Sequence, residues 1–200
     1  MPARTKTPDR AIAPGPTVLA GMILLAALSR LMPLPPNFAP IEAMALFGGA
    51  YFARRWLALA VPLLAMALSD VALGIARGGT YVEYFTTPAY LPSIAANYLC
   101  IALTCVLAFG LRGRVTGARV LGYSLAGSVL FFLISNFAIW LSASLNPAYP
   151  ACSQGLPACY AAALPFFKTT LLSTLFYAAL LFGGFALLRE RLPALRPQTA

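Results

Sequence analysis

A chain of 200 residues that is 60% hydrophobic and only 10% charged cannot cover the surface of a water-soluble domain, where about a quarter of residues carry charge. The length suits one domain. The net charge of +9 does not imply a nucleic-acid partner, because the basic residues flank apolar stretches, as they do in cytoplasmic membrane loops facing anionic lipid headgroups.

The expected fold is all-α: a polytopic membrane protein with a six-helix transmembrane bundle. Met1–Thr17 is polar and proline-rich, and the first apolar run begins at Val18 with no small-residue cleavage pattern after it. A retained helix is therefore expected there, not a cleaved signal peptide. This first segment, Thr17–Met32, is stopped by Pro33, Pro35 and Pro36. The second, Ile41–Ala53, is short for a bilayer that needs about 20 residues. It spans only if Asn37–Pro40 is included, and otherwise is half-buried or re-entrant. The third is Trp56–Ala76, with Pro62 as a kink site. A loop, Arg77–Leu91, then carries Tyr81, Tyr84, Phe85 and Tyr90. The fourth and fifth segments are Pro92–Leu111 and Val120–Ser142. The loop Ala143–Leu164 has no charge, and the sixth segment is Pro165–Leu188. Residues 1–16 and 191–200 are read as cytoplasmic tails around a membrane domain of residues 17–190.

Basic residues fix the orientation. With six spans and the N-terminus inside, eleven of the 14 Lys and Arg residues fall on the cytoplasmic side, Arg77 alone falls outside, and Arg30 and Lys168 lie within spans. That bias supports N-in/C-in topology in a bacterial inner membrane.

The residues able to carry chemistry then converge in depth. A charge at the centre of a membrane helix costs roughly 2.5–3.5 kcal/mol, so it calls for a use. Arg30 ends the first segment and Glu42 starts the second, both on the outer side. Asp70 lies about 9 Å below the outer end of the third. Asn97, Asn136 and Lys168 sit near the outer ends of the last three. This pattern predicts a polar pocket in the outer half of the bundle. Asp70, Asn136 and Lys168 are its leading substrate contacts, with Glu42, Arg30, Asn97 and Asn37 behind them. The same charges balance as a structural network, with Arg30 or Lys168 paired to Asp70. Tyr81–Tyr90 would lie over the mouth as a lid.

Cys152 and Cys159, in the outer loop, are candidates for a disulfide in an oxidising compartment. Cys100 and Cys105 read as small packing residues. Gly48-Gly49 suits a close helix contact, and Ala118, Gly122 and Ala126 form a small-residue stripe for a neighbouring helix or a partner. Histidine is absent, no metal-ligand spacing occurs and no cofactor is expected. There is no phosphate-binding loop, so transport energy would come from an ATPase coupling module or an ion gradient.

Several strings carry a resemblance. They are Pro36-Asn37-Phe38-Ala39-Pro40, Ala45–Phe52, Leu68-Ser69-Asp70, Ser128–Phe132, Ser135-Asn136-Phe137, Ala158-Cys159-Tyr160 and Leu164–Leu171. Together they resemble a family of bacterial integral-membrane proteins catalogued as candidate transport proteins, over nearly the whole chain apart from its tails. That family is in turn similar in size and hydropathy to the substrate-binding S components of energy-coupling-factor vitamin transporters. The resemblance implies a six-helix protein that loads a small polar molecule, such as a vitamin, cobalamin-like or other, from the periplasmic side. It also implies an acidic residue near Ser173-Thr174, where this chain has two hydroxyls. The loop Arg77–Leu91 offers neither His nor Cys as a cobalt ligand. Two further readings fit the same residues: a non-transporting membrane scaffold or assembly factor, and an intramembrane enzyme using Glu42 and Asp70 for acid–base work, although no nucleophile or cofactor motif accompanies that pair.

Overall fold

The computed structural model describes residues 14–143, 149–192 and 195. Most of the two tails, with Arg4, Lys6, Arg10 and Arg196, lies outside the described residues. All elements are helical: α1 (Pro14–Leu28, ending in the 3-10 turn Ser29–Leu31), α2 (Ile41–Tyr51), α3 (Arg55–Arg77), α4 (Gly79–Thr86), α5 (Leu91–Leu107), α6 (Gly117–Leu141), α7 (Pro150–Ser153), α8 (Leu156–Ala178) and α9 (Gly184–Arg191). Among the described residues, four stretches are long and apolar enough to cross a membrane: Arg55–Arg77, Pro88–Leu111, Gly117–Leu141 and Leu156–Arg191. The protein is therefore a multi-pass helical membrane protein. Its outward faces carry the apolar side chains that lipid demands, such as Ile75, 82% exposed, and Leu25, 72% exposed.

The second apolar segment has a different role from the others. α2 has 11 residues, and every one from Ile41 to Ala50 is buried. A helix apolar all round belongs in a core, not at a lipid surface. Its glycines let it in: a Cβ on Gly48 would come within 2.8 Å of Pro62 Cγ on α3, and one on Gly49 within 2.7 Å of Ala108 Cβ after α5. On the opposite side Phe47 meets Phe182 and Phe185 edge-on, with centroids 5.4 and 5.6 Å apart. The last carbonyls of α2 are closed by Arg112, whose Nε donates to Gly49 O and Nη2 to Phe52 O, each at 2.9 Å. Arg112 and Arg55 lie over Phe109 at 4.2 and 5.7 Å, and Arg119 donates to Gly110 O. One end of the bundle is therefore basic. The ends of α1 and α3 that carry Arg30 and Asp70 lie at the other.

Three features differ from the sequence reading. The loop Arg77–Leu91 contains α4 and a 3-10 turn, Pro88–Tyr90. The last long helix begins at Leu156, not at Pro165. Gly155, at φ 124°, breaks the chain before it, Pro157 occupies the first turn where a missing N–H costs nothing, and Pro165 sits inside the helix. The stripe Ala118, Gly122, Ala126 is exposed, and nothing lies within 4 Å of a Cβ placed on Gly122, so it packs no neighbouring helix of the described chain.

Candidate binding site

Two adjoining cavities open at the end opposite the arginine-rich one. They have volumes of about 470 and 490 Å³ and share Tyr84 and Asn97 in their walls. Both fall within the range of small-molecule sites.

The first cavity is walled by a closed charge network. Arg30 Nη1 lies 2.7 Å from Asp70 Oδ1, with the two side chains 13% and 7% exposed. Tyr81 donates to the same Oδ1 at 3.0 Å and Tyr98 to Oδ2 at 2.7 Å. Arg30 also donates to Ser69 Oγ and, at 3.2 Å, to Tyr81 Oη. Asp70 thus has both oxygens engaged, and its cation is Arg30. Burial pushes the Tyr81 and Tyr84 phenols, both on α4, up to about 12, so they act as neutral hydroxyls across the physiological range.

The second cavity has no charged residue in its lining among the described residues. Its polar groups are the amides of Asn37, Asn97 and Asn136, the hydroxyls of Ser93, Ser135 and Thr170, and the phenols of Tyr84 and Tyr149. Its apolar walls include Phe131, Phe132, Phe166 and Phe167, and Cys152 and Cys159, bonded to each other, close one side. Asn136 Nδ2 donates to Phe132 O at 2.8 Å, which leaves its amide oxygen as an acceptor. Asn37 occupies the left-handed region at φ 62°, a conformation asparagine tolerates, in the turn that leads into α2.

Of the residues singled out from sequence, Arg30, Asp70 and Asn97 line the first cavity, and Asn37, Asn97 and Asn136 the second. Glu42 lines neither; it is 3% exposed beneath them. Lys168 is exposed on α8 and also lines neither, so it is not the partner of Asp70. Sequence reasoning missed Tyr98, Ser93, Ser135 and Thr170. Tyr98 left a signal, since it is a phenol next to Asn97 in an otherwise apolar span. The hydroxyls left none, because serine and threonine in such helices ordinarily bond their own backbone.

A family model matches residues 10–195 of the chain. The chain belongs to the family of unknown function DUF6580. No curated protein and no solved structure matches it. Membership of DUF6580 brings no substrate with it, so the resemblance to transport proteins and S components passes to the proposal below.

Proposed function

We propose that this DUF6580 protein binds a small, uncharged, ring-bearing molecule of vitamin size and carries it across the membrane, without chemistry of its own. The observation that carries this reading is the second cavity, where three amides, three aliphatic hydroxyls and two phenols meet aromatic walls and no described lining residue is charged. Amides fix the orientation of a polar heterocycle, and phenylalanine faces stack on its ring. The Arg30–Asp70 pair stiffens the adjoining wall, and Tyr84, shared by both cavities, lies between them. At about 490 Å³ the cavity suits a compact ring better than a corrinoid.

In this reading the chain crosses a bacterial inner membrane six times, with α1 as the first crossing and the turn from Asn37 together with α2 as the second, and with both termini in the cytoplasm. Arg54, Arg55, Arg112, Arg114, Arg119, Arg189 and Arg191 would then share the cytoplasmic face, and the cavities would open to the periplasm. Energy would come from a partner ATPase module or an ion gradient. Native mass spectrometry on gently extracted protein tests the proposal. We expect a retained small molecule that is lost in Asn97→Leu and Asn136→Leu. Wild-type protein that carries no ligand, and whose melting temperature is unmoved by a panel of ring-bearing vitamins, would overturn it.

A further inference from the structure

Glu42 is a carboxylate inside the bundle with no cation paired to it among the described residues. Arg30 is committed to Asp70, Lys168 is exposed on the outside of α8, and the thiol of Cys100, near Glu42 on α5, can supply no positive charge. Its hydrogen bonding is also incomplete. Thr174 Oγ1 lies 3.3 Å from Oε2 but 2.9 Å from Thr170 O, so a single proton is shared and the carboxylate receives the poorer part. Oε1 has no partner among the described residues. A buried acceptor in that state is costly, and a buried charge more so.

Glu42 is not alone in this. Thr104, Ser124 and Ser128 are wholly buried, and their hydroxyls too lack any partner among the described residues. Elsewhere in these helices Thr170, Ser135 and Ser142 bond back to their own carbonyls. The three orphans do not take that ordinary escape. They surround the place where α2, α5 and α6 meet: a Cβ on Gly127 would lie 3.4 Å from Thr104 Cγ2 and 3.9 Å from Glu42 Cβ. On α6, Ser124 shares a face with Gly127 three residues on and with Ser128 four residues on.

We propose that Glu42, with the hydroxyls of Thr104, Ser128 and Thr174, holds one Na⁺ ion. A single carboxylate neutralises a single positive charge, so a monovalent ion leaves the site neutral, whereas a divalent one would not. Oxygen donors suit a hard cation. A proton would neutralise Glu42 yet still leave most of the orphaned hydroxyls unused; an ion draws on several lone pairs at once. The site touches the second cavity through one turn of α8: Thr170 lines the cavity, Thr174 donates to Glu42, and Ser173 between them bonds Ala39 O at 2.6 Å, just before α2. The inference does not depend on the identity of any substrate.

The test uses the full-length protein in detergent and a hydrophobic carbodiimide, which modifies buried protonated carboxyls, with peptide mapping of Glu42. At constant pH and ionic strength, choline chloride is exchanged for sodium chloride. We expect Na⁺ to protect Glu42, with labelling slowed about tenfold when Na⁺ is ten times its dissociation constant. Thr104→Val and Ser128→Ala should each raise the protecting concentration several-fold, while K⁺ protects less well. Labelling equally fast in sodium and in choline, or dependent on pH alone, overturns the proposal. Full protection retained in both hydroxyl variants overturns it as well.

Discussion

The Arg30–Asp70 pair offers the sharpest test of what holds the cavity end together. Replacing Asp70 by Asn keeps the shape but withdraws the negative charge from Arg30 at 2.7 Å, in a place where the two side chains are only 13% and 7% exposed. Arg30 keeps Ser69 and Tyr81 as neutral partners, and Tyr98 loses an ionised acceptor at 2.7 Å. Stranding one member of a buried pair typically costs about 3–5 kcal/mol. For a chain of this size each kcal/mol shifts the melting temperature by about 2–4 °C, so Asp70→Asn should lower it by roughly 6–20 °C. Removing both charges, Arg30→Met with Asp70→Leu, should recover most of that loss, because a hydrophobic pair of similar volume is often neutral or better. Tyr98→Phe, which deletes one bond to the charged carboxylate, should cost about 1.5–3 kcal/mol. Melting followed by size-exclusion fluorescence in one detergent reads all three. If Asp70→Asn melts with the wild type, or the double variant is no better than the single, the pair is not what stabilises this end.

Other positions give separate expectations. Asn37 at φ 62° should accept Gly with little change, whereas Asn37→Val should cost about 1–2 kcal/mol, both read by melting. Gly49→Ala drives a methyl into the Cys105 carbonyl and to within 2.7 Å of Ala108 Cβ, and should cost about 1–3 kcal/mol; Gly122→Ala, with open space around it, should be neutral or stabilising. The raised Tyr81 and Tyr84 phenols keep their protons in the folded protein after unfolded tyrosines have lost theirs. Their contribution is therefore whole below pH 10 and is lost as pH rises towards about 12. Alkaline melting curves should show that fall, and Tyr84→Phe should flatten it. Single cysteines at position 114 and in α7 should label from opposite sides of intact cells if the proposed topology holds.

The membrane class was legible because apolar run lengths and arginine positions report directly on a bilayer. The sequence reading brought Arg30, Asp70, Asn97 and Asn136 to one region, and all four line the two adjoining cavities. Rotation about the helix axis was not legible: Lys168, grouped with them in the sequence reading, is exposed on α8 and lines neither cavity, and a one-residue shift on a helix turns a side chain by about 100°. Pairing was also hidden, since Arg30 and Asp70 are forty residues apart and only packing of α1 on α3 selects one cation over another. Pro165 misled because a proline marks a first turn as readily as it interrupts a long apolar helix, where neighbouring helices can satisfy the freed carbonyl.

The connection into α2 shows how composition and site fit together. Irregular backbone at membrane depth survives only where protein or a water-filled cavity meets its polar groups. Four of the eight residues from Pro33 to Pro40 are prolines, so half of this stretch has no N–H to satisfy. Of the remaining donors, Leu34 N finds Met32 O at 2.9 Å and Phe38 N finds Pro35 O at 3.0 Å. Ser173 supplies a donor for Ala39 O. A run that looks from the sequence like a simple helix breaker is thereby suited to staying non-helical at the cavity end, where Pro33, Pro35, Pro36 and Asn37 are exposed and Pro40 alone is buried. It ends the first helix early, turns Asn37 into the cavity wall, and lets α2 begin in the middle of the molecule with Glu42 in its first turn. Without that break, a continuous helix would place Glu42 and Asn37 by helical register alone, and the cavity and the buried carboxylate beneath it could not be stacked along one line.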